Sequence, residues 1–290
     1  MHPFLDQLVA AGPVVTDGAW GTQLQIRGLP VGSCPDLWNL EHPERVEEVA
    51  RAYVDAGSQV ILTNTFGANR FMLQRHGVAD RVAAINRAGA EISRRAAGSK
   101  AAVFASMGPS GVVLMMGQVR PEALEEAFTE QAAALADAGA DALVIETMSD
   151  PAEAKLAVAA AHGTGLPVVA CMVFDSGRDH DRTMMGTTPE QAAEALLEAG
   201  ADLIGSNCGQ GIAGFVPICR RLKAASGRPV WIKANAGLPE VRQGRTVYSQ
   251  TPPEFADFVP ALVEAGANFI GGCCGTTPEF IQAVVHRIHR

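Results

Sequence analysis

The chain of 290 residues carries 31 acidic against 23 basic side chains, a formal net charge of −8, and is 48% hydrophobic with 19% charged residues. This balance excludes a disordered or fibrous chain and gives no general attraction to nucleic acid or an anionic membrane, so a small-molecule ligand is expected. No stretch approaches the ~18 uninterrupted apolar residues of a membrane helix, and the start Met1-His-Pro-Phe-Leu-Asp-Gln7 lacks a secretory pattern, so a cytoplasmic protein is expected whose six cysteines are reduced thiols or ligands.

In chain order, apolar runs read as strands at Val14–Asp17, Val60–Asn64, Ala101–Ser106, Ala142–Glu146, Val168–Val173, Leu203–Asn207, Val230–Ala234 and Phe269–Gly272. The runs are continuous rather than alternating, as parallel strands buried on both faces require, and helix-length segments separate them. Helix starts repeat as a residue followed by proline and an acid or amide: His42-Pro-Glu, Arg120-Pro-Glu, Asp150-Pro-Ala-Glu, Thr188-Pro-Glu-Gln, Thr251-Pro-Pro-Glu and Thr277-Pro-Glu. Proline in the first turn sacrifices no helical hydrogen bond, and Thr188 with Gln191 and Thr251 with Glu254 have capping-box spacing. Helices are expected to stop at Ala56-Gly57, Ala138-Gly139, Ala199-Gly200 and Ala265-Gly266. The alternation predicts one (β/α)₈ TIM barrel spanning 1–290 as a single domain.

Seven and eight residues beyond each of those glycines stand Asn64-Thr65, Glu146-Thr147, Asn207-Cys208 and Cys273-Cys274. All fall at carboxyl ends of strands, where the loops of such a barrel build the active site. Two connections, Gly18 to His42 and Asp175 to Thr188, exceed the usual loop length and are expected to cover the pocket.

Cys273 and Cys274 lie among Gly271, Gly272 and Gly275, where an apolar run gives out. On a regular strand two adjacent side chains point to opposite faces, so both reach one ion only where the strand ends. Together with Cys208 they form a candidate Cys₃ zinc site whose fourth position is open, the pattern of a catalytic rather than a structural metal. A zinc with three thiolates is a poor generator of hydroxide but activates an incoming thiol, which points to a sulfur nucleophile. Cys34, Cys171 and Cys219 lack this context and read as ordinary thiols. Glu146 and Asp17 end strands with a free carboxylate suited to a substrate cation, while Asn64, Thr65 and Asn235 either bind ligand or finish strand ends. His76, His162 and His180 sit beside turn residues and read as solvent-facing. Neither a nucleophile elbow nor a phosphate-binding Gly-rich loop is present.

The segments Asp17-Gly-Ala-Trp-Gly-Thr-Gln-Leu-Gln25, Thr63-Asn-Thr-Phe-Gly-Ala-Asn69, Ile145-Glu-Thr147, Gly205-Ser-Asn-Cys-Gly209 and Gly271-Gly-Cys-Cys-Gly-Thr-Thr-Pro278 together resemble the homocysteine S-methyltransferase family. The resemblance covers nearly the whole chain. It implies a (β/α)₈ barrel in which Cys208, Cys273 and Cys274 bind Zn²⁺, L-homocysteine adds its sulfur as the fourth ligand, and methyl transfer to that sulfur yields methionine. It also implies that Asp17 and Glu146 hold the amino-acid end of homocysteine. Betaine is disfavoured as donor, because Gly67 and Thr147 stand where the betaine-using branch has tyrosines, leaving Trp38 as the candidate aromatic wall. The stretch Asn64 to Arg70 is similar to the homocysteine module of cobalamin-dependent methionine synthase, so the donor is expected to be a separate methyl-corrinoid protein or a small sulfonium such as S-methylmethionine. A catabolic demethylase using another thiol acceptor, and a barrel whose zinc is not catalytic, are the competing expectations.

Overall fold

The structure is a computed structural model that describes residues 2–242 and 245–289. Among the described residues ten strands occur in chain order: β1 (Val14–Val15), β2 (Val60–Ile61), β3 (Ala102–Met107), β4 (Ala142–Met148), β5 (Val168–Met172), β6 (Leu203–Cys208), β7 (Val230–Ala234), β8 (Pro239–Arg242), β9 (Arg245–Tyr248) and β10 (Ala267–Gly272). Eight of them form one sheet in the order β1-β10-β7-β6-β5-β4-β3-β2, each neighbouring pair running parallel. The two ends meet where Thr16 bridges Val60 and Gln59 N donates to Val15 O at 2.8 Å. The expected (β/α)₈ barrel is therefore formed, with helices between successive strands.

Helices begin at Pro43, Pro121, Pro151, Pro189, Pro252 and Pro278, as the capping patterns predict. Both capping boxes are closed, Thr188 with Gln191 and Thr251 with Glu254. The helix Pro43–Asp55 buries Val46, Val49, Ala50, Tyr53 and Val54, the three-and-four spacing that turns one stripe toward the sheet. Between sheet and helices lies the main apolar layer. A second cluster fills the barrel itself: Phe104, Trp231 and Phe269 meet with ring centroids 5.3–6.3 Å apart. The N-terminal helix Pro3–Val9 closes the bottom of that interior through the fully buried Leu5. The floor is thus sealed with large side chains, and chemistry is left to the opposite mouth.

Three strands are shorter than expected, β5 by the single residue Val173 and β1 and β2 by more. β1 and β2 stop at Val15 and Ile61; beyond them Thr16 still bridges Val60, while the side chains of Asp17, Thr63 and Asn64 hydrogen-bond to Leu62 N, Ser106 N and Pro35 O. The hairpin β8–β9, with Pro239 opposite Tyr248, is an addition that the sequence reading did not contain. Among the described residues no helix is long and apolar enough to cross a membrane.

Candidate metal centre and substrate cavity

The three cysteines converge. Cys208 Sγ lies 3.3 Å from Cys273 Sγ and 3.9 Å from Cys274 Sγ, and all three sulfurs fall within 4.8 Å of one another. β10 ends at Gly272, so Cys273 and Cys274 are already off the strand and both turn inward. Cys208 ends β6 with φ +63°, a left-handed conformation that takes its side chain out of strand alternation. Backbone contacts fix the corner: Cys273 N donates to Ala234 O at 2.7 Å, Ala236 N to Cys274 O at 3.0 Å, and Thr276 Oγ1 to Cys273 O at 2.7 Å. The glycine frame leaves no room for side chains, since a Cβ on Gly271 would stand 2.0 Å from Thr16 Oγ1 and one on Gly275 2.2 Å from the Tyr248 ring.

The donor set fits a thiophilic divalent ion. Two thiolates on a tetrahedral zinc at about 2.3 Å stand roughly 3.8 Å apart, close to the separations found here. The protonation pattern agrees. Cys274 is pulled down to about 3 by thiol hydrogen bonds from Cys208 and Cys273, and the Tyr248 hydroxyl also donates to it. Cys208 is pushed well above the usual thiol range by donating to Cys273 and Cys274 and by burial. One thiolate forms readily and its charge then blocks the others, a conflict that a divalent cation relieves.

Above the thiols opens a cavity of about 310 Å³ whose wall includes Trp20, Phe66, Met72, Glu146 and Lys233. A wider depression of about 650 Å³ near Arg27, His42 and Arg45 shares Cys34 and His76 with this cavity and contains none of the clustered thiols. Glu146 is buried and its carboxyl is pushed up to about 7 by that burial, with Lys233 opposing the shift. Ser106 Oγ donates to Glu146 Oε1. Lys233, unnoticed in the sequence inside the run Val-Trp-Ile-Lys-Ala of β7, is 2% exposed and forms an ion pair with Asp17 Oδ1. The other Asp17 oxygen accepts from Trp20 Nε1 and Leu62 N, both at 2.7 Å. Asp17 is accordingly enclosed and engaged on both oxygens; it lies behind Lys233 and does not line the cavity.

The remaining candidates separate. Asn64 lines the cavity, and its Nδ2 donates to Pro35 O at 2.7 Å and Asn39 Oδ1 at 3.0 Å, anchoring the long first loop. Thr65 is fully buried and does not line the cavity; its hydroxyl donates to Ser106 O at 2.7 Å. Asn235 also does not line it: its Nδ2 donates to Gly209 O at 2.8 Å, bracing the turn after Cys208. Of the two long connections, Gly18 to His42 does wall the cavity through Trp20, Pro35 and Asp36, whereas none of 175 to 188 reaches it. Trp38 packs on His42, so the aromatic wall is Trp20 instead. His76, although exposed, stands at the cavity edge. Tyr248 arrives on the unforeseen hairpin to cover Gly275 and Cys274.

Comparison with known proteins fits this geometry. The family model described as homocysteine S-methyltransferase matches residues 14–288. The chain belongs to the homocysteine S-methyltransferase family. Among curated members of wider sequence similarity, methionine synthase of Mycobacterium tuberculosis is 33% identical over 93% of this chain and 24% of its own length. Methionine synthase of Mycobacterium leprae is 32% identical over 98% of this chain and 25% of its own length. The chain thus spans about a quarter of the length of the curated relatives it matches. The metallated form of the Escherichia coli homocysteine methyltransferase MmuM superimposes with a TM-score of 0.81 at 25% identity, covering 99% of this chain and 100% of that one.

Proposed function

We propose that this homocysteine S-methyltransferase barrel uses zinc held by Cys208, Cys273 and Cys274 to methylate the sulfur of L-homocysteine, giving methionine. The observation that carries the reading is one cavity with three converging thiols at its floor and a carboxyl and an ammonium group on its wall. When bound, the zinc supplies Lewis acidity that keeps a substrate thiol in its thiolate form at neutral pH.

The chain does the rest by positioning. Glu146 takes the ammonium of the substrate. Lys233, with Asp17 satisfying only part of its donor capacity, offers the remainder to the substrate carboxylate. Trp20, Phe66 and Met72 keep water from the sulfur. The new S–CH₃ bond forms as the bond from the methyl carbon to the donor breaks, in line, so orientation supplies much of the acceleration. Asp17 acts through Lys233 rather than on the substrate.

For the donor, we favour a methyl-corrinoid carried by a separate protein over a small sulfonium. Exposed apolar side chains occur on the loops after the strands, at Val113, Met115, Met116, Met184 and Leu238, and the exposed Phe66 lines the cavity itself. Apolar surface of that kind suits contact with another macromolecule. A demethylase with a different acceptor and a non-catalytic zinc barrel are weaker, because neither uses the paired Glu146 and Lys233.

The deciding assay gives zinc-loaded protein and L-homocysteine a methylated corrinoid protein, methylcobalamin, S-methylmethionine or betaine in turn, and reads methionine. The reading expects product with the corrinoid donors. No product from any donor would remove it.

Glu146→Gln tests the carboxylate role. It is expected to raise KM for L-homocysteine about tenfold, the loss of a charge-assisted contact, with zinc content unchanged. In the unsubstituted protein Glu146 gains its charge as pH rises through about 7, so KM should fall between pH 6 and pH 8. The glutamine variant should lose that part of the slope. A pH profile identical in the two proteins would remove Glu146 from substrate binding.

A further inference from the structure

β4 does not run regularly through the site. Ile145 pairs with Ala170 and Met148 with Met172, so Glu146 and Thr147 together face the single residue Cys171. An extra residue on one strand is a β-bulge, which re-aims the side chains beside it. It explains why the sequence neighbours Glu146 and Thr147 both line the cavity, which strand alternation forbids. Thr147 has φ +63°, a backbone state strained for a β-branched residue and kept only where surroundings enforce it.

The enforcing group is Asn207. From β6, across β5, its Oδ1 accepts from Thr147 N at 2.7 Å and its Nδ2 donates to Thr147 Oγ1 at 2.7 Å. Asn207 is fully buried, and the same Nδ2 stands 3.9 Å from Cys273 Sγ. Its chain neighbour Cys208 is the other left-handed non-glycine residue at the site; the third among the described residues, His180, lies on an exposed loop. One amide therefore touches the bulge that presents Glu146 and the corner that presents the thiols.

We infer that Asn207 is a positioning residue: by pinning the Glu146–Thr147 bulge it sets the separation between the carboxylate and the three thiols, and so the preference for an amino thiol of homocysteine's length. This rests on the reading above that Glu146 takes the substrate ammonium. Without the amide, the Thr147 N–H has no acceptor and its strained conformation no support. β4 then relaxes toward regular pairing and the Glu146 carboxylate moves. The thiols keep their own backbone contacts, so sulfur binding is left in place.

The test compares L-homocysteine with 4-mercaptobutyrate, the same thiol without its amino group, in the zinc-loaded Asn207→Leu variant. Leucine matches asparagine in size and neither donates nor accepts. The expected result is a KM for L-homocysteine raised about tenfold, with KM for 4-mercaptobutyrate and the zinc content unchanged. Asn207→Asp, which can still accept from both Thr147 N and Thr147 Oγ1, should retain the preference for L-homocysteine. If Asn207→Leu does not fold, Thr147→Val, which removes one of the two contacts, should show the same selective rise at about threefold. Equal shifts for both thiols, or no shift for either, would overturn the inference. Glu146→Gln separates the two levels: if it leaves the L-homocysteine preference intact, the ammonium assignment fails. If it abolishes that preference while Asn207→Leu does not, only the role of Asn207 fails.

Discussion

Cys273→Ala is expected to lose bound zinc and methyl transfer together, while Cys171→Ala keeps both. Cys273 contributes one of three sulfurs that meet within 4.8 Å. Structural zinc sites are worth about 10–16 kcal/mol, so deleting one of few ligands weakens binding by on the order of 10²–10³-fold, enough for a chelator to strip the metal. Cys171 is equally a cysteine near the barrel axis, but it is buried inside β5 and its thiol is pushed well above the usual range by desolvation. Its loss leaves a small cavity costing about 1 kcal/mol and no more. Zinc measured by elemental analysis after dialysis against a moderate chelator separates the two variants. Stoichiometric zinc in Cys273→Ala would contradict the three-thiol site.

Lys233→Met is expected to destabilise the fold by ~3–5 kcal/mol, the cost of stranding the buried Asp17 carboxylate without its cation. Both partners are essentially sealed from water, at 2% and 0% exposure, so solvent cannot take over the role of the lost ammonium group. The double variant Lys233→Met with Asp17→Asn should recover most of that loss, since the amide removes the unpaired charge and can still accept from Trp20 and Leu62. Urea denaturation of the two variants and the parent measures it. A single variant as stable as the parent would mean that the pair contributes nothing, and that Lys233 is free to serve the substrate alone.

The sequence carried the barrel because its signals were local and redundant. Each proline-acid start, each Ala-Gly stop and each continuous apolar run indicated the same alternation, and the repeat of polar pairs after the glycines pointed to the mouth. The cysteines were legible for the same reason: Cys273 and Cys274 lie where glycine ends a strand, and Cys208 falls at the matching position of the repeat. Lys233 was missed although a signal existed, because a lysine within a buried strand must find a counter-ion. Following that rule would have sought a counter-ion among the carboxylates at the strand ends, and in the structure that partner is Asp17. The β4 bulge was not legible, since a one-residue register shift leaves no trace in hydrophobic pattern. Asn207 was hidden by it, being visible only as the residue before Cys208. The hairpin that delivers Tyr248 was obscured by its length of four residues per strand, the lower limit of what alternation can identify.

The central claim, three thiols on one zinc with a fourth position open to substrate sulfur, is tested most directly by X-ray absorption at the zinc edge. The account predicts three sulfur neighbours in the zinc-loaded protein and four after L-homocysteine is added. A sulfur count that does not change on adding L-homocysteine would contradict it.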